Sequence, residues 1–209
     1  MKKIIAITQS IEFVIKRKEY RDYIDNKLIK WINDCGFSVI LISNFFKQNN
    51  SRYIIQKKKL LKFLEIFKIS GFILSGGNNI GQYTMRDEVE KTILSYAVKK
   101  KIPVLGICRG LQMINYFYSG VNAIVKNHAN VSHNIYSINN KKKLFKVTCF
   151  HNYTIKNLAK NFVITHKSDD NFIEGIRHKN LKIQGWMWHP EREININKKN
   201  KKELLNFFK

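Results

Sequence analysis

The sequence predicts an α/β protein with a mostly parallel central sheet, helices on both faces and an antiparallel C-terminal meander. Over the first 120 residues, short apolar runs alternate with helical patterns. The apolar runs are continuous rather than alternating, which is typical of parallel strands buried on both faces. After Gly120, strand-like segments follow one another directly, which indicates antiparallel pairing.

The first half of the chain is predicted to form strand–helix units. The predicted strands are the runs KIIAIT, FSVILIS, GFILSGG and IPVLGIC, at residues 3–8, 37–43, 71–77 and 102–108. The predicted helices cover residues 19–36, 52–69 and 86–101, and a further helix runs from the fourth strand to Gly120. Glycine at position 36 is typical of a helix end, and the acids and lysines at the two ends of 86–101 match the helix dipole.

The second half is predicted to be a meander closed by a helix. Polar turns such as SDDN and HKN separate its strand-like segments. These segments cover residues 134–138, 144–150, 161–168, 171–178 and 181–189, and the terminal helix covers 201–208. Because a chain of 209 residues can bury one full core, we expect a single domain over residues 1–209.

Composition and sequence pattern argue against a membrane span, a secretory signal, a disulfide framework and a structural zinc site. No stretch approaches the roughly 20 apolar residues of a membrane span, and MKKIIAIT lacks the long apolar segment and cleavage site of a secretory signal. We therefore expect no membrane association and a cytoplasmic location. The three cysteines contain no CxxC pair, which predicts neither a disulfide framework nor a structural zinc site.

The remaining histidines are not predicted to bind metal. His128 and His133 lack metal-ligand spacing on a helix, and we expect them in a loop near the mouth of the site. His166 and His178 are predicted to be surface residues of strands. The sequence thus predicts neither a metal nor a cofactor.

The chain is strongly basic, with 38 Lys and Arg against 15 Asp and Glu and a net charge of +23. Such a charge attracts polyanions, nucleic acid or phosphorylated metabolites. The lysine clusters are scattered over predicted loops and helix ends, without a repeated aromatic platform. The pattern favours lysines and arginines that simply form a solvated surface. Binding of a phosphate-bearing small molecule is the next interpretation, and binding of nucleic acid is disfavoured.

The segment PVLGICRGLQMINYF places a cysteine where an apolar strand gives way to a helical pattern. Cys108 lies between Gly106 and Gly110, the layout of a nucleophile elbow with cysteine in the serine position. Glycines are needed there because side chains beside such a sharp turn would clash. The helix N-terminus favours a thiolate and leaves amide groups free to bind an oxyanion. A buried core cysteine is the alternative, and the glycines favour the nucleophile.

Four segments, in the family's order, resemble class I glutamine amidotransferases of the γ-glutamyl hydrolase branch. FILSGGNNI resembles the glycine-rich oxyanion loop, and RDEVE resembles the start of the helix before the nucleophile strand. PVLGICRGLQMIN resembles the nucleophile segment, and GWMWHPERE resembles the segment that carries the catalytic histidine and glutamate. The resemblance implies a flavodoxin-like three-layer sandwich and cofactor-free hydrolysis of a γ-glutamyl amide.

The resemblance implies a catalytic triad of Cys108, His189 and Glu191. The residue pattern agrees, because His189 and Glu191 are two positions apart and share one face of an extended segment. Glu191 then holds one imidazole nitrogen while the other faces Cys108, and Pro190 stiffens the backbone between them. The thiolate attacks the γ-glutamyl carbonyl, His189 protonates the leaving nitrogen, and water releases glutamate from the thioester.

The resemblance also implies the residues that bind the substrate. The oxyanion is expected to bind the backbone amides of Arg109 and of a loop glycine, Gly77 in preference to Gly76. His151 lies in the segment CFHN, where this branch carries a Ser-x-His pattern and Cys149 here replaces the serine. The full set of predicted substrate-binding residues is Gly76, Gln112, Arg86, His151 and Asn152.

The leaving group is predicted from charge together with the resemblance. A very basic chain favours an anionic leaving group larger than aminobutyrate, with Arg86 or Arg109 contributing to a diphosphate site. The leading candidate is γ-glutamyl-CDP-amidate, which would give glutamate and cytidine diphosphoramidate for capsular polysaccharide modification. The alternatives are a γ-glutamyl-γ-aminobutyrate-type hydrolase, a glutaminase subunit that delivers ammonia to a synthase, and an inactive amidotransferase fold used as a binding module. The sequence does not predict the oligomeric state.

Overall fold

A nine-stranded sheet forms the centre of the protein. A computed structural model describes residues 2–49, 52–126, 128–138, 143–193 and 198–209. The strands are β1 (Ile4–Thr8), β2 (Ser10–Val14), β3 (Glu19–Tyr23), β4 (Ser38–Ile42), β5 (Phe46–Asn49), β6 (Arg52–Ile55), β7 (Ile69–Leu74), β8 (Val104–Ile107), β9 (Val121–Ile124), β10 (Ser132–Ser137), β11 (Lys143–Thr148), β12 (Tyr153–Asn157), β13 (Phe162–Ser168), β14 (Ile173–His178) and β15 (Ile183–Trp186). The helices are α1 (Asn26–Asp34), α2 (Lys57–Ile66), α3 (Thr84–Lys100), α4 (Arg109–Phe117) and α5 (Lys198–Phe207).

The sheet is parallel on one side and antiparallel on the other. Its strand order is β11-β10-β13-β14-β15-β8-β7-β1-β4. Pairing is parallel from β4 through β1, β7 and β8 to β15, and antiparallel from β15 outward to β11. The predicted fold class, a mostly parallel sheet extended by an antiparallel meander, is confirmed.

The two faces of the sheet are both covered. In β1, Ile5 and Ile7 belong to one buried cluster and Ala6 to the other, because successive side chains of a strand point to opposite faces. The first cluster includes residues of α1 and α5, and the second includes residues of α2, α3 and α4. This double burial explains why the parallel strands are continuously apolar.

The predicted helix over residues 19–36 is wrong in its first part. Glu19–Tyr23 forms β3, which pairs with β2 as an antiparallel hairpin, and the helix begins only at Asn26. Asp25 caps it, because its side chain accepts a hydrogen bond from the Lys27 amide at 2.9 Å. The aromatic ring of Phe13 lies 4.9 Å from that of Tyr20 across the hairpin, a contact between strands that helical periodicity cannot reveal.

Other element boundaries also differ from the prediction. Residues 52–55 form β6 rather than the start of the second helix. Two short strands that the sequence pattern does not predict, β9 and β12, pair with each other outside the large sheet. Among the described residues, no helix combines the length and the apolar character needed to cross a membrane.

The carboxyl ends of the parallel strands gather the predicted site residues at one edge of the sheet. Gly76 follows β7, Cys108 follows β8 and His189 follows β15. Because β7, β8 and β15 are parallel neighbours, these three loops emerge side by side. This edge is where open α/β sheets bind their ligands.

Candidate active site

The nucleophile elbow has the geometry that the sequence predicts. Cys108 has φ 52° and ψ −108° at the junction of β8 and α4. Residues other than glycine rarely adopt this backbone conformation. Its amide donates a hydrogen bond to the Trp186 carbonyl at 2.7 Å, which ties the elbow to β15. A Cβ atom at Gly106 would lie 2.4 Å from the Gly110 carbonyl carbon, so the glycines let strand and helix meet closely.

His189 lies between Cys108 and Glu191. Its Nδ1 atom is 2.6 Å from Glu191 Oε1, and its ring lies near enough to Cys108 to affect the pKa of both groups. All three side chains are buried, and His189 has the glutamate on one side and the cysteine on the other. The backbone differs from the predicted extended segment, because Pro190–Arg192 forms a 3-10 turn with proline at its first position.

The contacts of Cys108 and His189 favour a thiolate–imidazolium pair. Burial alone would raise the pKa of Cys108, but the neighbouring His189, a hydrogen bond with it, His151 and the Arg109 amide hold that pKa below its ordinary value. Burial likewise opposes a charged His189, yet Cys108 and Glu191 raise the pKa of His189 to about 9. The imidazolium therefore persists at neutral pH and is lost as the pH rises through about 9.

The alkylation of Cys108 by iodoacetamide should follow this ion pair. We expect a half-maximal rate at a pH below the ordinary thiol pKa, and a shift of this midpoint to higher pH in His189→Ala, because the cation is lost while burial remains. Intact-mass measurement with peptide mapping over a pH series gives the rate at each cysteine. Cys35 is the internal control, since burial raises its pKa to about 11. Identical midpoints in the two proteins would contradict the proposed pair.

The loop after β7 closes over the nucleophile. A Cβ atom at Gly76 would lie 2.8 Å from His189 Cε1 and 3.6 Å from Cys108 Cβ. Gly77 has φ +114°, and a Cβ atom there would lie 2.1 Å from Ser10 Oγ. Both positions thus require glycine for a close approach of backbone to the site.

Arg86 supports this loop from behind. The fully buried guanidinium donates hydrogen bonds to the carbonyls of Ser75 and Gly76, each at 2.9 Å, and to Ser10 Oγ at 3.0 Å. Its side chain therefore faces the loop backbone rather than the open part of the site. This placement differs from the predicted substrate contact, because a buried guanidinium is held by its own hydrogen bonds.

The Arg109 side chain is also directed away from the site. Its guanidinium forms buried ion pairs with Asp87 and Glu90 of α3, whereas its backbone amide hydrogen bonds with Cys108. The Arg109 amide therefore lies beside Cys108, where a donor to the oxyanion is expected. The guanidinium is held by these two buried carboxylates and is not free to bind a phosphate group, in contrast to the predicted contribution. The RDEVE motif thus builds the buried network that fixes both the loop and the elbow.

The other predicted substrate-binding residues differ in position. His151 is buried and lies near enough to Cys108 to affect its pKa, and its Nδ1 atom is 3.0 Å from the Tyr153 carbonyl. Gln112 is also buried, but its amide donates to the same carbonyl at 3.2 Å. Asn152 is exposed, so the structure does not bring its side chain into the buried part of the site.

Two cavities meet at His189. One of about 150 Å³ contains Gly76, Gly77 and Glu191 in its lining. The other, of about 460 Å³, is lined by Lys146, Phe150, His189 and Arg192 among other residues. The Phe150 ring lies 5.7 Å from that of His189, and the Arg192 guanidinium lies 4.6 Å above the Phe150 ring. The larger cavity therefore joins His189 to two cationic side chains and to one carboxylate, Glu193.

Sequence reasoning did not identify Lys146, Phe150 or Arg192 as site residues. Arg192 directly follows the WHPE segment, which is a positional signal, whereas Lys146 is one of many scattered lysines. The predicted surface positions of His166 and His178 are wrong, since both side chains are buried. His128 and His133 are buried too, and they surround Cys149 rather than lie in an open loop.

Comparison with known proteins agrees with this architecture. The family model for glutamine amidotransferase class-I matches residues 19–208. The structure of a putative GMP synthase subunit from Thermoplasma acidophilum superposes with a TM-score of 0.70 at 18% identity, covering 100% of this chain and 93% of that one. A glutamine amidotransferase from Thermotoga maritima gives a TM-score of 0.63 at 18% identity over 91% and 77% of the two chains.

Curated relatives share more of the sequence. A γ-glutamyl-CDP-amidate hydrolase of Campylobacter jejuni is 37% identical over 135 residues, 62% of this chain and 66% of that protein. A putative glutamine amidotransferase of Schizosaccharomyces pombe is 31% identical over 60% of this chain and 63% of its own length. The chain thus spans slightly less than two thirds of these relatives. From the family match and the shared fold, this chain belongs to the class I glutamine amidotransferase family.

Proposed function

We propose that the protein is a cysteine-dependent hydrolase of γ-glutamyl amides, with Cys108 as nucleophile, His189 as acid–base and Glu191 as its orienting carboxylate. The observation that carries the proposal is the position of His189, which lies between Cys108 on the strained strand–helix elbow and Glu191 after β15. Such a set activates a thiol for acyl transfer, because the histidine removes its proton and the carboxylate fixes the ring.

The reaction follows from these positions. The Cys108 thiolate attacks the γ-carbonyl, a C–S bond forms, and the oxyanion binds the amides of Arg109 and Gly77. Protonated His189 gives its proton to the leaving nitrogen as the C–N bond breaks, which leaves a glutamyl thioester. Water then attacks the thioester with His189 as base, and glutamate leaves as the thiolate is restored.

The proposed substrate is γ-glutamyl-CDP-amidate, with cytidine diphosphoramidate as the leaving group. Support comes from the 37% identity with the Campylobacter jejuni enzyme that is named for this substrate. The cavity beside His189 adds a physical argument, because Lys146 and Arg192 in its lining provide positive charge for a diphosphate. Neither Arg86 nor Arg109 is needed for this role.

Glutamate release from a panel of γ-glutamyl compounds tests the proposal. The panel contains glutamine, γ-glutamyl-γ-aminobutyrate and γ-glutamyl-CDP-amidate, each with wild type and Cys108→Ala. We expect the highest kcat/KM for γ-glutamyl-CDP-amidate and inhibition by cytidine diphosphate. Preference for another member, without inhibition by the nucleotide, would refute the substrate while leaving the hydrolase assignment in place.

Loss of the two cationic side chains should change substrate preference. We expect Lys146→Ala/Arg192→Ala to raise KM for γ-glutamyl-CDP-amidate about 10-fold more than KM for γ-glutamyl-γ-aminobutyrate, since only the former carries phosphate. The control Lys99→Ala/Lys160→Ala removes the same charge from exposed positions elsewhere. Equal changes of KM for both substrates, or an equal effect of the control, would contradict a diphosphate site in this cavity.

A glutaminase that supplies ammonia to a separate synthase is the second candidate. It is favoured by similarity to the glutamine-hydrolysing GMP synthase subunit of Methanocaldococcus jannaschii, which is 30% identical over 59% of this chain. Under this alternative, glutamine would be the preferred panel member and cytidine diphosphate would not inhibit. The same measurement therefore separates the two functions.

A further inference from the structure

A second group of chemically reactive side chains lies beside the proposed active site. His128, His133, Cys149 and Glu174 are all buried, and one candidate ligand atom from each lies within 4.8 Å of the others. They come from the loop before β10, from β10, from the end of β11 and from β14. The mechanism proposed above uses none of these four side chains.

The distances within this cluster suit a small, closed metal site. Cys149 Sγ lies 3.5 Å from His128 Nε2 and 3.1 Å from His133 Nε2. Glu174 Oε1 lies 3.7 Å from His133 Nε2. Ligand atoms around a tetrahedral Zn²⁺ are separated by roughly 3.3 to 3.6 Å, given its usual bond lengths. Cys149 Sγ is 3.2 Å from His133 Nδ1 as well, so a turn of the His133 ring together with small side-chain movements would bring the four atoms to bonding distance of one ion.

Glu174 provides an independent indication of a cation. Its side chain is completely buried, and within the described part of the chain neither carboxylate oxygen has a hydrogen-bond partner. The nearest ionisable nitrogens, on His151 and His133, are 3.6 and 3.7 Å away, which is too long for a hydrogen bond. Both histidines form ion-pair contacts with Glu174, but neither carboxylate oxygen accepts a hydrogen bond, and a bound metal ion would supply a direct partner.

His128 carries the outer partner that metal-binding histidines usually have. Its Nε2 atom faces Cys149, while its Nδ1 atom lies 3.3 Å from Asp170 Oδ2. A carboxylate in this position accepts the Nδ1 proton and so presents the Nε2 lone pair to a metal. Asp170 is half-exposed and does not need to enter the cluster itself.

We propose that His128, His133, Cys149 and Glu174 bind one Zn²⁺ ion as a closed, tetrahedral site. Two imidazoles, a thiolate and a carboxylate form a ligand set that suits zinc, and four protein ligands leave no open position for catalysis. Burial raises the pKa of Cys149, so binding requires that the ion displaces the thiol proton to solvent. The sequence predicted no metal site because its ligands are spread over 47 positions without any recognisable spacing, from His128 to Glu174.

The ion would stabilise one wall of the proposed active site. Cys149 directly precedes Phe150 and His151 in the chain. Phe150 packs against His189, and His151 lies near Cys108 and 3.6 Å from Glu174. A zinc ion bound at Cys149 and Glu174 would therefore hold the segment that carries both residues. Its role is structural, because it contacts neither Cys108 nor His189 through the four ligands.

Cobalt substitution tests the site without reference to activity. The full-length protein is freed of metal by a chelator and titrated with Co²⁺ alone. We expect one equivalent to bind with the intense visible bands of tetrahedral cobalt and a near-ultraviolet thiolate-to-cobalt band, and both should disappear when Zn²⁺ is added. Cys149→Ser should lose the thiolate band, whereas Cys35→Ser and Cys108→Ser should keep it. No stoichiometric binding, or a thiolate band that survives in Cys149→Ser, would overturn the proposal.

A substitution outside the cluster tests the site even if the variants that lack a ligand misfold. Asp170→Asn keeps every ligand and changes the half-exposed partner of His128, whose other carboxylate oxygen accepts a hydrogen bond from Ser168. We expect it to weaken Co²⁺ binding about 10-fold or more, with an unchanged melting temperature of the metal-free protein. Asp34→Asn, an exposed carboxylate on α1 that is paired with Lys30, is the matched control. Equal Co²⁺ affinity in Asp170→Asn and wild type would contradict the assigned outer partner and with it this site.

Discussion

Replacing Cys108 with alanine is expected to abolish glutamate release, with a loss of roughly 10⁴-fold or more in kcat. The thiolate supplies the electron pair for the acyl bond, and its sulfur is the atom that the thioester needs. No other described cysteine can replace it, because Cys35 lies at the end of α1, before the start of β4, and Cys149 lies between His128 and His133. Glutamate release is measured with a coupled assay under saturating substrate.

The same experiment distinguishes a catalytic from a structural cysteine. Cys35→Ala removes an equally buried thiol and is expected to keep activity within about threefold while losing some stability. Acid-quenched wild type should carry a glutamyl adduct on Cys108 by mass spectrometry, and Cys108→Ala should carry none. Substantial turnover by folded Cys108→Ala would exclude the proposed thioester mechanism.

Replacing Gly110 with alanine is expected to cost more than about 3 kcal/mol in the free energy of unfolding. A Cβ atom at this position would lie 2.0 Å from the Leu74 carbonyl oxygen and 2.8 Å from its carbonyl carbon. Both atoms are backbone of β7, which is paired with β8 and β1, so neither can move without disturbing the sheet. The substitution should therefore destabilise the elbow and the neighbouring strands of the sheet together.

Gly36→Ala is the matched control for this effect. Gly36 has φ +93°, and a methyl group at this position would have no atom within 4 Å, so alanine there adds backbone strain alone, about 1 to 2 kcal/mol. Urea unfolding followed by circular dichroism gives both free energies. Equal losses for the two variants would show that the close contact with Leu74 is not what demands glycine at the elbow.

The elements that sequence reasoning placed well are those specified by local patterns. Continuous apolar runs predicted β1, β4, β7 and β8, since strands covered on both faces carry mostly apolar side chains. The termini of α3 were close to prediction because its acids and lysines follow the helix dipole. The hairpin of β2 and β3 was missed, because its stabilising contacts join residues on separate strands.

The candidate site likewise has parts that local sequence patterns predicted and parts that they did not. Two short segments carry the predicted triad: Cys108 lies between its two glycines, and His189 lies two positions before Glu191. Local backbone geometry therefore relates the residues within each segment. The predicted substrate contacts of Arg86 and Arg109 rested on charge and on the resemblance, neither of which fixes where a side chain points. The fold turns both guanidinium groups inward, because Glu90 is buried with them and needs their charge.

By itself, the sequence determined the sheet-and-helix rhythm, the strained nucleophile elbow and the family, because these depend on short-range sterics and on motifs of adjacent residues. Only the tertiary structure decided which charges face the site and which are buried. It alone brings Lys146 and Arg192 to one cavity and gathers His128, His133, Cys149 and Glu174 into one cluster. Contacts between distant strands depend on strand order and register, which no local pattern encodes.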